Sequence, residues 1–189
     1  MMNVIEREAN LQDFLLQKYY DASNNLPSWI ITSCVTTLSL AVLISQYIPI
    51  VPKYIADLQI AGYQLNKFGY SLIAIIFFYL AKSILGFLFY QSVGDGKKWS
   101  IFYFTSTKFY FILSFLLIIL CVIHYYFPID RSKMFLYYIF FFSFVFIFKV
   151  FFYLFHKNNI LPEKWYYKFL YICTLQIAPL MLLWKLLFF

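Results

Sequence analysis

The chain has 189 residues, of which 63% are hydrophobic, 25% aromatic and 12% charged, with a mean hydropathy of +0.76. A soluble domain is nearer half apolar and a quarter charged, and a disordered chain is poorer still in aromatic residues, so both classes are excluded. Fifteen Lys and Arg against eight Asp and Glu give a net charge of +7. The basic residues lie singly or in pairs between apolar stretches and form no aromatic-and-basic stripe, so they read as membrane-interface anchors and not as a nucleic-acid surface.

Residues 1–27 form a segment of their own. They carry Glu6, Glu8, Asp13 and Asp21 against Arg7 and Lys18, the wrong charge for the start of a signal peptide, so the first apolar run is expected to be an uncleaved anchor. Val4, Leu11, Phe14 and Leu15 share one helical face, with Glu6, Arg7, Asp13 and Gln17 elsewhere, which predicts an amphipathic helix. Surface-bound membrane helices have a Lys/Arg-rich polar face; this one is net acidic, which favours docking on the bundle or on a protein partner.

A helix crossing about 30 Å of hydrocarbon at 1.5 Å per residue needs roughly 20 apolar residues. Five segments meet that requirement, at about 28–48, 68–90, 109–127, 133–156 and 166–187. They show no period-two alternation, so they are helices and not barrel strands. The expected fold is an all-α polytopic bundle, residues 28–189, of five transmembrane helices. Between them lie a connector with Pro49 and Pro52, a second from Gln91 to Lys108, a tight turn at Pro128-Ile129-Asp130-Arg131 and a linker from Lys157 to Trp165. An odd number of crossings separates the termini; eight basic residues on the N-terminal side against five on the other favour a cytoplasmic N-terminus.

Lys82 and Lys149 interrupt otherwise apolar helices, and no Asp or Glu lies inside any of the five segments. A lysine at the bilayer centre costs about 2.5 to 3.5 kcal/mol on insertion scales, and each Leu, Ile or Phe returns about 0.3 to 0.6, so insertion survives it. Two readings follow. Each ammonium sits about 10 to 12 Å from its helix end, and a lysine stem spans roughly 6 Å, so both heads can snorkel to the headgroup zone. Alternatively, Lys82 and Lys149, with Lys108 and Lys168 at neighbouring helix ends, line a cationic pocket suited to a lipid phosphate or a partner carboxylate.

Other chemistry is sparse. Cys34, Cys121 and Cys173 fall in separate apolar runs without a CxxC spacing and read as small apolar residues. His124 and His156 belong to opposite membrane faces and cannot share a metal or haem. Gly94-Asp95-Gly96-Lys97-Lys98 lacks the residues of a phosphate loop and reads as a flexible turn. No hydrolase or metalloprotease motif is present, so no catalytic residue, cofactor or metal is nominated. In the fifth helix Pro179 cannot donate to the carbonyl of Leu175 and is expected to kink the helix, while Thr174 and Gln176 are placed for hydrogen bonds to another helix.

The run Leu170-Tyr171-Ile172-Cys173-Thr174-Leu175-Gln176-Ile177-Ala178-Pro179-Leu180, continuing to Lys185-Leu186-Leu187, resembles the closing motif of an uncharacterised integral membrane family of Bacteroidota that carries only a domain-of-unknown-function label. Asn25-Leu26-Pro27-Ser28 and the basic residues in the second and fourth helices are similar to its pattern as well. The family pattern usually has a glutamate where this chain has Gln176. The resemblance implies a polytopic protein of the bacterial inner membrane and no particular activity. Two functions compete: a non-catalytic subunit or scaffold of a membrane complex with a protein partner, and a lipid-binding or lipid or small-solute transport protein whose inward-facing lysines hold an anionic head group.

Overall fold

The computed structural model describes residues 25–48, 59–60, 63–64, 66–127, 130–155, 160–162 and 164–188. The amphipathic segment expected at residues 4–20, and with it Pro49, Pro52, Lys53, Pro128, His156 and Lys157, lies outside them. The described chain is helical apart from a minimal antiparallel hairpin, β1 (Gln59–Ile60) and β2 (Tyr63–Gln64), in which Gln59 pairs with Gln64 and Ile60 with Tyr63.

The helices are α1 (Asn25–Ser45), α2 (Lys67–Val93), α3 (Gly96–Tyr126) and α4 (Arg131–Leu154). A fifth span follows, made of α5 (Trp165–Leu170), a π-helical stretch (Tyr171–Ile177) and α6 (Ala178–Phe188). All five spans are long and apolar enough to cross a membrane, so the protein is a multi-pass helical membrane bundle.

The third span differs most from the sequence expectation, beginning at Gly96 and not near Phe109. Thr105, Ser106 and Thr107, which suggest a connector, are satisfied inside a helix. Thr105 Oγ1 donates to the carbonyl of Ile101 at 2.9 Å, Thr107 Oγ1 to Tyr103 at 2.9 Å, and Ser106 Oγ shares a 2.7 Å hydrogen bond with the hydroxyl of Tyr153. The Gly94 to Lys98 segment is therefore a tight reversal. Gly94 takes φ +83°, a left-handed conformation that L side chains avoid, and caps α2 by donating to the carbonyl of Gln91; Asp95 then pairs with Lys98 at 3.2 Å as α3 begins.

Small residues set which helices approach closely. On α1, Ser28, Thr32 and Thr36 recur every fourth position and are buried, while Leu26, Ile30 and Leu38 on the other side are exposed. That small face packs on α3, where Thr107, Phe111 and Ser114 are buried. Contacts of Trp29 with Tyr103 at one end and Cys121 with the Ser39 carbonyl farther along show that α1 and α3 run parallel. Helix α2 runs antiparallel to both and meets α1 where Ser71 Oγ donates to the carbonyl of Ala41 at 3.1 Å. The Phe-rich α4 is joined to α3 through long side chains, Phe102 to Tyr153 and Phe109 to Phe152.

Each end of the bundle has its own cluster. Where α1 begins, Tyr90, Tyr153, Leu161, Tyr171 and Leu175 form a buried aromatic plug with Trp99 and Phe102 against it. The Tyr90 hydroxyl donates to the carbonyl of Ile160 at 3.2 Å, which ties the buried residues Ile160, Leu161 and Pro162 beneath the plug. At the other end Ile48, Tyr70, Ala74 and Leu187 pack together, and Nδ1 of His124 lies 3.3 Å from the hydroxyl of Tyr47 and 3.4 Å from that of Tyr138.

Gly86 is required by a close approach. A Cβ at this position would stand 2.9 Å from the ring of Trp99. Overpacking costs about 1 to 3 kcal/mol, while Gly to Ala in a helix recovers about 0.8 to 1.0, so Gly86→Ala is expected to lose about 1 kcal/mol net. Thermal unfolding in detergent together with the Trp99 emission maximum checks this; unchanged stability and emission would show that the ring does not rest on Gly86.

Candidate functional site

The midsection of the bundle holds a cavity of about 330 Å³ lined by α1, α2, α3, α4 and the fifth span, with both Lys82 and Lys149 in its wall. Neither lysine snorkels to a helix end. Lys82 Nζ donates to Oε1 of Gln176 at 2.7 Å, and Lys149 Nζ to the hydroxyl of Tyr110 at 2.6 Å, close to the middle of α3. Lys149 is 7% exposed. The stems are drawn inward because each finds an acceptor on a facing helix, and an ammonium is better served by a fixed oxygen than by withdrawal along an apolar surface.

Around the two cations stand groups that are polar and neutral. The Lys149 ammonium lies 4.4 Å from the ring centroid of Tyr110, 5.6 Å from that of Tyr153 and 5.7 Å from that of Phe109, an aromatic cage whose ring faces complement positive charge. Lys82 lies 5.6 Å from the Phe78 centroid. Tyr79 meets Tyr110 edge to face at 5.6 Å. Among the described residues the ion pairs are Lys98–Asp95 and Lys133–Asp130, so neither cavity lysine has a carboxylate partner there.

Gln176 is the pivot of the fifth span. It is 1% exposed, accepts from Lys82, and donates from Nε2 to the hydroxyl of Tyr171 at 2.6 Å. The π-helical register makes this pairing possible because it places residues five apart on one side of the helix. Its last bond runs from the N–H of Ala178 to the carbonyl of Cys173; Pro179, which has no N–H, cannot extend it. The disturbance expected from Pro179 thus takes the form of a widened helix on its N-terminal side, and that widening carries the Tyr171–Gln176 pair.

A family model described as a domain of unknown function, DUF4271, matches residues 8–187, nearly the whole chain. The chain belongs to the DUF4271 family. No curated protein and no solved structure matches it. Within this DUF4271 chain the candidate residues separate cleanly. Lys82 and Lys149 share the cavity, and Gln176 stands behind Lys82. Lys108 and Lys168 are not among the described residues that line it: Lys108 lies 4.4 Å from the Phe104 centroid, and Lys168 sits half-buried in the last turn of α5. Because α3 begins at Gly96, Lys108 is not at a helix end, and its side chain leaves a different face.

Thr174 is exposed and turns to its own helix, donating from Oγ1 to the carbonyl of Leu170, 2.6 Å away. Tyr79, Tyr110, Tyr153, Tyr171 and Ser106 belong to the site and are not singled out by sequence. The chain has 18 tyrosines, and these come together only because four spans converge on one level. A faint signal exists in Tyr171 and Gln176, two polar-tipped residues within a few positions of an intramembrane proline.

Proposed function

We propose that this protein binds an anionic head group, a phosphate or a carboxylate, between its helices, with Lys82 and Lys149 as the electrostatic hold. The observation that carries the reading is the pair of inward-turned ammonium groups in one cavity whose other polar neighbours among the described residues are neutral. Two like charges in a low-dielectric setting repel, and an anion placed between them turns that repulsion into two attractions. Each lysine uses one acceptor of the protein and keeps further N–H donors for a ligand, since an ammonium has three. Tyr110 and Tyr79 hydroxyls line the same space and can add hydrogen bonds to ligand oxygens. This favours lipid binding or lipid handling over a purely structural subunit, whose interface has no need of two cations facing an internal cavity.

The test is native mass spectrometry of the protein extracted from its own host in lipid-retaining polymer discs. A stoichiometric anionic lipid or other phosphate- or carboxylate-bearing molecule is expected, and it should disappear in the Lys82→Leu, Lys149→Leu double variant. A stoichiometric protein partner with the cavity empty would overturn the proposal in favour of the scaffold function.

A further inference from the structure

We infer that the ligand of the lysine pair is a membrane amphiphile that reaches the site sideways from the bilayer, its hydrocarbon chain lying in a groove between the first halves of α1 and α3 and the last half of α2. The inference rests on the anion-binding reading above and specifies its ligand class and its path.

Three observations meet here. The first is closure of the nearer end: the plug of Tyr90, Tyr153 and Tyr171, with Leu161 and Pro162 beneath it, lies between the lysines and the end of the bundle. The second is a lateral opening. Helices α1 and α2 touch where Ser71 meets Ala41, and toward the other end of α1 a second cavity of about 530 Å³ lies among Leu26 of α1, Ser83 to Leu88 of α2 and Trp99 to Phe104 of α3. The third is continuity, since Ser83, Trp99 and Tyr103 line both cavities and form the junction between them.

The two cavities differ in charge: the lysines line the inner one alone. The outer cleft is walled by Leu26, Ile84, Phe87, Leu88 and Phe104 with two serines among them, and its lips are exposed, with Leu26 at 65%, Ile84 at 60% and Leu88 at 55%. The inner cavity carries the two ammonium groups. Trp99 stands at the boundary with its ring against Gly86. A soluble anion would find a charged site behind an apolar, lipid-facing cleft. A phospholipid or another chain-bearing phosphate leaves the bilayer with its chain still among apolar side chains and moves only its head group inward.

The experiment uses the full chain in detergent, titrated with dioleoyl phosphatidic acid, glycerol 3-phosphate and inorganic phosphate by native mass spectrometry. Ser100→Trp fills the outer cleft from α3 and leaves both lysines in place; Leu88→Trp fills it from α2. Each is expected to weaken phosphatidic acid by about ten-fold or more while glycerol 3-phosphate changes by less than about two-fold, a difference native titration resolves. If both variants weaken the two ligands equally, or weaken neither, the chain does not use the cleft and the inference is overturned while the anion site stands. If glycerol 3-phosphate or inorganic phosphate binds wild type as tightly as phosphatidic acid, the ligand is a soluble anion, and the inference again fails alone. If wild type binds none of the three, the anion-binding reading falls and takes the inference with it.

Discussion

Replacing Lys82 and Lys149 together by Leu is expected to abolish anion binding while leaving the bundle folded and at least as heat-stable as wild type. Hydrogen bonds to charged groups are worth about 1.5 to 3 kcal/mol each, so loss of one from each ammonium lowers affinity by about 100-fold or more. Stability responds with the opposite sign. In the ligand-free protein the two ammonium groups lie in a low-dielectric interior without a carboxylate among the described residues, and removal of buried charges in favour of well-packed apolar groups is neutral or stabilising, by about 1 to 4 kcal/mol in favourable cases. Against this, the Gln176 Oε1 and the Tyr110 hydroxyl each lose a donor, at a cost of about 1 to 3 kcal/mol for each group left unsatisfied, which offsets the gain in part. Thermal unfolding without ligand, paired with phosphatidic acid titration, separates the two effects. A double variant that unfolds at a much lower temperature would mean that the lysines hold the bundle together and are not a ligand site. Lys→Met at both positions, which keeps the unbranched stem, checks that any loss is electrostatic and not a matter of shape.

Gln176→Glu is expected to have an effect nearly as large by supplying the missing counter-charge from within. The Gln176 Oε1 accepts from Lys82 at 2.7 Å, so a carboxylate in the same rotamer forms an ion pair with that lysine at hydrogen-bond distance. The pair satisfies one of the two cations, the site's net charge falls, and an incoming phosphate meets a carboxylate; affinity should drop about ten-fold or more. The ligand-free protein should become harder to unfold, because a charge whose partners among the described residues are neutral gains a carboxylate. Gln176→Leu is the contrasting variant. It leaves Lys82 and the Tyr171 hydroxyl without this partner, at a cost of about 1 to 3 kcal/mol for each group left unsatisfied, and should lower the unfolding temperature. Equal affinities in wild type and the Glu variant would show that Lys82 does not face the anion.

Composition and run length alone determined that the protein crosses a membrane five times as helices, because a bilayer admits no other backbone solution for uninterrupted apolar stretches of this length. The same reasoning marked Lys82, Lys149 and Gln176, since a polar group in such a stretch has a cost that is read directly from its neighbours in the chain. Sequence also gave reason to expect a helix disturbance at Pro179, which follows from a missing N–H and needs no knowledge of the fold. What only the tertiary structure decided is direction and company. Whether a lysine snorkels or turns inward depends on an acceptor being within reach on another helix, and Tyr110 and Gln176 are 39 and 94 residues away from their lysines in the chain. The start of α3 was hidden for a related reason: Thr105, Ser106 and Thr107 look like a polar connector until the carbonyls of their own helix and the hydroxyl of Tyr153 are seen to satisfy them. That shift moved Lys108 away from a helix end and out of the cavity wall, and the residues that stand there instead, tyrosines from three spans, carry no mark in a chain so rich in tyrosine. Local pattern reports the cost of burying a group; only the packed bundle shows which groups share that cost, and so where a site can form.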